Sequence, residues 1–222
     1  EQTVEAIARS TDLSVIAITD HDTAEGAFVA RAHARRHAPG LEVIIGQELT
    51  TDDGDVVGLF LTSSLPRFRT ALEAVRAIHA QGGLAVAVHP YSRWPSLGFM
   101  HGVGHRVRRL PFDAIEARNG FPSNIISNPL ATWFNRASSR PLPELGGSDS
   151  HAVVTVGQPY TRFPGRTAAD LRRAIEQGTV TAAGGLWTLP SLIRLVPLLL
   201  AHGLPRRRPE SAELRPEHQP TD

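Results

Sequence analysis

Five short apolar segments of the sequence each end in a cluster of polar side chains, and helical patterns separate several of them. Continuous apolar runs of this length are typical of parallel strands that are covered on both faces. Where strands alternate with helices, active sites gather at the carboxyl ends of the strands, in closed barrels and in open sheets alike. The pattern therefore predicts an α/β fold whose polar clusters converge. The five predicted strands are residues 14–18, 41–46, 84–88, 112–115 and 142–145.

The remaining segments complete this alternation. Glycines and prolines end the helical patterns, as at Pro39 and Gly40 after the first of them. The further predicted strands are residues 56–61 and 159–163 and a short one near residue 180, and the predicted helices are residues 23–37, 69–80 and 168–177.

Composition limits the function classes that need to be considered. The 222 residues suffice for one sizeable domain, and a net charge of +1 gives no field that would favour duplex nucleic acid. The absence of cysteine excludes disulfides, thiolate zinc sites and a cysteine nucleophile, and it fits a cytoplasmic location. Any metal site must therefore use histidine, aspartate and glutamate.

The ends of the predicted strands carry a dense set of such residues. Imidazoles and carboxylates without thiolates are ligands for Mn, Fe or Zn in hydrolytic centres. A cluster this dense at one edge is easier to understand with divalent cations inside it, so we expect a multinuclear site. The eight residues are Asp20, His21, Asp22, Glu48, His89, Glu116, Asp149 and His151.

Five of these residues also have a simpler interpretation when each is taken alone. Asp20 and Asp22 are suited to capping the helix that follows them, and His89 precedes a proline in a tight turn. Glu48 fits an exposed edge, and Asp149 fits ordinary turn chemistry. The metal-site prediction rests on all of them ending successive strands.

Arginines and further histidines lie outside this set. Arg93 and Arg118 follow two strand-end clusters closely, and guanidinium groups suit a phosphate there, although such arginines are as often simple surface charges. His101 and His105 belong to a glycine-rich linker, residues 96–105, that is a candidate lid. A solvated surface position is expected for the histidines on helices or in the tail, which are His33, His37, His79, His202 and His218.

The strings AITDHDT at residues 17–23, GQE at 46–48, VHP at 88–90 and GSDSHA at 147–152 together resemble the successive motifs of the polymerase-and-histidinol-phosphatase (PHP) phosphoesterases. The resemblance covers residues 1–185. It implies an α/β, distorted TIM-like (β/α)7 barrel, here without its first strand and that strand's His-x-His ligands, with two or three divalent metal ions at the carboxyl rim.

The resemblance also implies roles for individual residues. His21 and His151 would bind an outer metal, Glu48 would bridge two metals, and Asp149 and His89 would bind one of these each. Asp20 would orient the ligands, and Asn119 or Glu116 stands where many relatives place a further metal ligand. The implied reaction is attack of a metal-bridging hydroxide on a phosphate ester of a small molecule or nucleotide, with Arg93 and Arg118 as candidates for holding the phosphate.

Two rival functions remain open at this point. One is a non-catalytic metal- or nucleotide-binding module. The other is a metal-dependent amidohydrolase, which is disfavoured because such enzymes carry a bridging lysine and this sequence contains no lysine.

Outside the predicted domain, residues 186–204 read as an apolar C-terminal helix, too short and too interrupted to span a bilayer. Residues 205–222 lack periodicity and are predicted to be a disordered tail. The chain opens inside a helical pattern, with Val4 and Ile7 on one apolar face, so an upstream segment is expected. No stable binding of duplex nucleic acid is expected, and the oligomeric state is open.

Overall fold

The computed structural model describes residues 2–92 and 101–202. The six α-helices of this part are α1 Gln2–Ser10, α2 Glu25–His37, α3 Ala71–Ala80, α4 Ser127–Arg136, α5 Ala168–Glu176 and α6 Leu189–His202. Its eight strands are β1 Val15–Ile18, β2 Glu42–Leu49, β3 Val56–Leu59, β4 Leu84–Ala87, β5 Ala114–Asn119, β6 Glu144–Gly147, β7 Tyr160–Arg162 and β8 Thr181–Ala183. Every strand and helix predicted within these ranges is present, with ends that differ by a few residues.

The first six strands form one curled, half-barrel sheet in the order of the sequence. Parallel pairing joins β1 to β2, β4 to β5 and β5 to β6, whereas β3 runs antiparallel to both β2 and β4. Strands β7 and β8 form a separate antiparallel ribbon. The α/β class is confirmed. The distorted (β/α)7 barrel without its first strand is not confirmed, because the described sheet is open and contains a reversed strand.

Side chains alternate between the two faces of the sheet, as the pleat requires. Ile45 and Ile115 point to a core that α2, α3 and α4 cover, whereas their neighbours Ile44 and Ala114 pack towards Ile175 of α5. Burial on both faces explains the continuous apolar runs in the sequence. The carboxyl ends of five strands are thereby held on a rigid edge.

Local sequence sets the helix boundaries. Thr70 and Glu73 form a capping box at the start of α3, and Thr167 and Asp170 form another at α5. The start of α2 differs, because its N-cap residue Ala24 makes no side-chain capping bond. Neither Asp20 nor Asp22 caps this helix, so the capping interpretation of these two aspartates is wrong.

The C-terminal region contains α6 where an apolar helix is predicted. Within the described ranges, no helix combines the length and the apolarity that a bilayer crossing requires. The predicted tail, residues 205–222, lies outside the described residues.

Candidate metal centre

The carboxyl ends of β1, β2, β4, β5 and β6 meet at one edge of the sheet and bring the predicted cluster together. His21 forms a parallel bridge with Glu48, and its Nε2 lies 3.6 Å from Glu48 Oε2. His89 Nε2 lies 3.2 Å from Glu48 Oε1. These three residues follow or end three different strands, so the sheet itself sets their spacing.

His89 is held in an unusual environment. Its φ angle is +29°, a region that non-glycine residues rarely adopt, and its backbone N–H donates to Glu116 Oε2 over 2.7 Å. The ring is buried, and its Nδ1 has no hydrogen-bond partner among the described residues. A buried ring nitrogen without a partner, beside buried carboxylates, is an open ligand position.

Asp55 completes a compact group with these two residues, and the sequence did not point to it. One ligand atom each of Glu48, Asp55 and His89 lies within 4.8 Å of the others. We call these three residues the buried triad. Asp55 precedes β3, and because β3 is antiparallel its starting end lies at the same edge as the carboxyl ends of its neighbours. His101 holds the aspartate through backbone bonds, donating to Asp55 Oδ2 and accepting from Asp55 N.

A second carboxylate pair lies on the β5–β6 side of the edge. Asn119 Nδ2 donates to Glu116 Oε2 over 3.0 Å and to Asp149 Oδ2 over 3.1 Å, and it thereby joins the two acids. Its Oδ1 accepts from the backbone N–H of Phe121 and from Asn124. Because both donors occupy the amide oxygen, Asn119 positions the carboxylates here and does not present an oxygen to a metal.

The outer part of the centre is more exposed. His21 Nδ1 lies 3.4 Å from Thr50 Oγ1, and His151 Nδ1 lies 3.1 Å from the carbonyl oxygen of Asp149. Asp149 itself has a φ of +47°. His21 and His151 are both close enough for their charges to lower the pKa of Glu48.

The two aspartates beside His21 face away from the buried triad. Asp22 accepts from the backbone N–H of Thr50 and forms an ion pair with Arg67. Asp20 lies against Gly26 in the first turn of α2, and its backbone oxygen accepts from Glu48 N. This last bond aligns the ends of β1 and β2, while an orienting role for the Asp20 side chain stays a prediction.

The two predicted phosphate-binding arginines have different outcomes. Arg93 lies outside the described residues, as does the first half of the candidate lid, residues 96–100. Arg118 donates to the carbonyl oxygen of Gly184 over 3.1 Å and lines a groove with Arg136, away from the buried triad. A β-bulge between Glu116 and Arg118 produces this outcome, because it shifts the register of β5 against β6.

The histidines outside the strand-end cluster do not all lie at the surface. His33 is buried and its Nε2 lies 2.9 Å from Glu5 Oε1, so the surface position predicted for it is wrong. His79 is half-buried and bonds to Asp113. His105 packs its ring against Tyr91 and Phe134. None of these three makes a contact with the buried triad.

Burial and charge shift the pKa values of the centre strongly. Burial lowers the pKa of His89, but the hydrogen bond and charge of Glu48 outweigh it and raise the pKa to about 10. Burial raises the pKa of Glu48, but the hydrogen bond and charge of His89 outweigh burial and keep the pKa of Glu48 below its ordinary value. Burial also raises the pKa of Asp55, with the charge of Glu48 adding to it, and raises the pKa of Glu116 to about 7. Without a metal, a protonated imidazole thus neutralises Glu48.

These shifts predict how the stability of the metal-free protein depends on pH. A raised pKa means that the folded state binds more protons. The contribution of His89 is fully present below 6.5 and is lost as the pH rises towards 10, and that of Glu116 is lost as the pH rises from 4.5 through 7. The unfolding temperature in EDTA should therefore fall from pH 5 to pH 10. In the variant His89→Gln the fall above pH 7 should disappear, and a persisting fall would contradict the assignment.

Asn119 offers a second prediction. Replacing it by alanine removes the donor that Glu116 and Asp149 share, and loss of such a supporting residue typically weakens metal binding about 10- to 100-fold. Calorimetric titration with Mn²⁺ measures the change. Asn119→Asp should also weaken binding, because the new carboxylate would face two others. If Asn119→Asp bound Mn²⁺ more tightly than the parent protein, residue 119 would contact the metal directly, and the supporting role would be contradicted.

The residues fit a divalent cation on the grounds of their own chemistry. Buried carboxylates without compensating charge are costly, and oxygen and imidazole ligands at this spacing suit Mn, Fe or Zn. One ring nitrogen of His89 is available to a cation, and so are oxygens of Glu48 and Asp55. Glu116, Asn119 and the backbone of His101 support this arrangement from behind.

A family model described as PHP-associated matches residues 134–180. The uncharacterized protein MJ1587 of Methanocaldococcus jannaschii is 34% identical over 125 residues, which are 56% of this chain and 69% of the relative. A Bacteroides vulgatus two-domain protein containing a predicted PHP-like metal-dependent phosphoesterase has a similar structure, with a TM-score of 0.62, 20% identity, and coverage of 82% of this chain and 60% of that one. The chain belongs to the PHP family.

Two further structures resemble this PHP-family chain. An amidohydrolase from Chromobacterium violaceum, with bound sulfate and no metal, has a TM-score of 0.53 at 18% identity and covers 82% of this chain and 91% of that one. An endonuclease Q bound to a 27-mer duplex substrate with an abasic lesion has a TM-score of 0.50 at 12% identity, with coverage of 83% and 54%. At these identities the likeness of the three structures to this PHP-family chain shows a shared fold and does not show a shared activity.

Proposed function

We propose that this PHP-family chain hydrolyses phosphate esters at a divalent metal centre built around Glu48, Asp55 and His89. One observation carries the proposal: one ligand atom each of two buried carboxylates and a buried imidazole lies within 4.8 Å of the others at this edge of the sheet. Perturbed titratable groups gathered in this way are typical of functional sites. The similar structure that contains a predicted PHP-like metal-dependent phosphoesterase supports the chemical class.

The chain would hold two or three cations, of Mn, Fe or Zn. The buried triad is the inner part of the centre, and His21, Asp149 and His151 are the candidates for its outer part. Divalent cations in such a centre supply Lewis acidity and a nucleophile at neutral pH. Glu48 lies between the imidazoles of His21 and His89, which supports the bridging position proposed for it.

The protein itself contributes positioning and charge. The hydrogen bond from His89 N to Glu116 fixes the backbone turn that presents the imidazole, and Asn119 keeps Glu116 and Asp149 together. Because each of these bonds involves a residue of β5, the carboxylates need not rearrange when a substrate arrives, which lowers the cost of stabilising the transition state. Arg93 remains our candidate for holding the phosphate.

The substrate class we propose is a phosphate ester of a small molecule or a nucleotide. The near-zero net charge of the chain supports the prediction that it forms no stable complex with duplex nucleic acid. The likeness to a duplex-bound endonuclease nevertheless makes a duplex a necessary member of any substrate panel. The absence of cysteine supports a reducing compartment such as the cytoplasm.

Elemental analysis and a hydrolysis panel on the purified protein test the proposal. We expect bound divalent metal and Mn²⁺-dependent release of product from a chromogenic phosphomonoester, a chromogenic phosphodiester, a mononucleotide or an oligonucleotide end. Bound metal without turnover on any of these, or on a carboxamide substrate, would favour a non-catalytic metal-binding module. Turnover of the carboxamide alone would favour an amidohydrolase, and turnover of phosphate esters unaffected by chelators would refute the metal centre.

A further inference from the structure

A groove lies on the outer wall of the molecule, between α4 and β8. It consists of two adjoining cavities with volumes of about 560 and 420 Å³, which share Arg118, Thr132 and Arg136 as lining residues. Pockets for small ligands commonly have volumes in this range. Neither cavity is lined by a residue of the buried triad, so the groove is a separate feature.

Strand β5 separates the groove from the metal centre. Glu116 and Asn119 point to the carboxylate cluster, whereas Ala117 and Arg118 line the groove. The bulge between Glu116 and Arg118 makes this division possible, because it turns Arg118 away from the side that Glu116 faces. One strand thus supplies residues to both places.

The groove carries a positive charge. Arg118 is exposed, bonds to a carbonyl oxygen, and forms no ion pair with any carboxylate of residues 2–92 and 101–202. Arg136 Nη2 lies 3.5 Å from one carboxylate oxygen of Glu144. Asn135 donates a hydrogen bond to the other oxygen of that carboxylate. Arg136 balances the charge of Glu144, and Arg118 leaves the groove with one unbalanced positive charge. A guanidinium of this kind is well suited to a phosphate group.

An aromatic side chain stands beside these arginines. Trp133 lines the smaller cavity, and 62% of its surface is exposed. Its ring packs edge-on against Phe134, which limits its movement. An indole that remains exposed beside cationic side chains is the arrangement with which proteins stack nucleobases while holding their phosphates. Arg118 and Arg136, each shared by both cavities, stand next to it.

We propose that this groove binds a nucleotide, with the base stacked on Trp133 and the phosphate held by Arg118 and Arg136. The ligand is either a free nucleotide or one unit of a single strand, since both present a base and a phosphate. The groove does not need the metal centre for this binding. Nucleotide binding here and hydrolysis at the metal centre can therefore fail separately.

Calorimetric titration of the full protein in EDTA tests the proposal with three probes: inorganic phosphate, AMP and a short single-stranded oligonucleotide. We expect AMP to bind more tightly than phosphate, because a stacked base contributes roughly a tenfold or greater gain in affinity. Trp133→Ala should weaken AMP about tenfold or more and leave phosphate unchanged, whereas Trp133→Phe should retain most of the affinity. The double variant Arg118→Ala and Arg136→Ala should weaken all three probes.

Two further variants serve as controls. Arg35→Ala removes another exposed arginine, from α2, and should leave the affinity for AMP within twofold. Glu48→Gln alters the metal centre and should likewise leave this metal-free binding unchanged. The proposal is overturned if AMP does not bind at millimolar concentration, or if the Trp133 and arginine variants bind it as the parent does. A tighter complex with the oligonucleotide than with AMP would identify the single strand as the source.

Discussion

Replacing Glu48 by glutamine should lower the metal-dependent hydrolysis of phosphate esters about a thousandfold, since a metal centre supplies several kcal/mol to the transition state. Glu48 approaches both His21 and His89, so the loss of its charge removes the shared anion of the centre. Glutamine preserves the shape and can still accept the hydrogen bond of His89. Initial rates at saturating Mn²⁺ and calorimetric titration with Mn²⁺ measure the change.

Glu42→Gln is the matched control for this experiment. It removes a carboxylate from the opposite end of the same strand, where Glu42 accepts a hydrogen bond from Ala168 N. We expect its hydrolysis rate and metal affinity to stay within twofold of the parent. If Glu48→Gln kept more than a tenth of the parent rate, Glu48 would not belong to the reacting centre, and the proposed metal position would need to move.

Replacing Gly102 by alanine should lower the free energy of unfolding by about 3 kcal/mol, at the upper end of the usual cost of overpacking. A Cβ at this position would collide with the carbonyl oxygens of His89 and Pro90, which are backbone atoms and cannot rotate away. The N–H of Gly102 also donates to the carbonyl oxygen of Ser92. The collision therefore displaces the turn that presents the His89 imidazole.

Urea titration measures this loss, and titration with Mn²⁺ should show a weakened metal affinity in the same variant. Gly40→Ala is the control, because a Cβ at residue 40 meets no atom within 4 Å. Its free energy of unfolding should change by less than about 0.5 kcal/mol, as for ordinary surface substitutions. Equal stability of the two variants would show that the contact between residues 102 and 89 is not tight in solution.

The sequence predicted the strand ends well for a physical reason. His21, Glu48 and His89 follow apolar runs that are buried on both faces, and such runs identify a strand without any knowledge of its neighbours. Parallel pairing of β1 with β2, and the common direction of β2 and β4, then brings these residues to one edge. Their convergence required no long-range information beyond the α/β pattern.

Strand direction and register were not predictable in the same way. Periodicity is identical for a parallel and an antiparallel strand, so nothing in the sequence showed that Asp55 precedes a reversed strand at this edge of the sheet. A bulge has no periodicity signal either, and it directs Arg118 to the groove. Asn119 was predicted as a ligand by its position in the motif, but the donors around its Oδ1 are contributed by the turn after β5.

The reversed strand also bears on the order in which the centre assembles. Glu48 and Asp55 lie on the two arms of one antiparallel hairpin, in which Leu49 pairs with Val56. Closing so short a loop costs little entropy and is rapid, whereas His89 reaches Glu48 across 41 residues of chain. The first contact of the future centre therefore joins two like charges, and a cation present while the chain folds would find an anionic hairpin before the imidazole arrives.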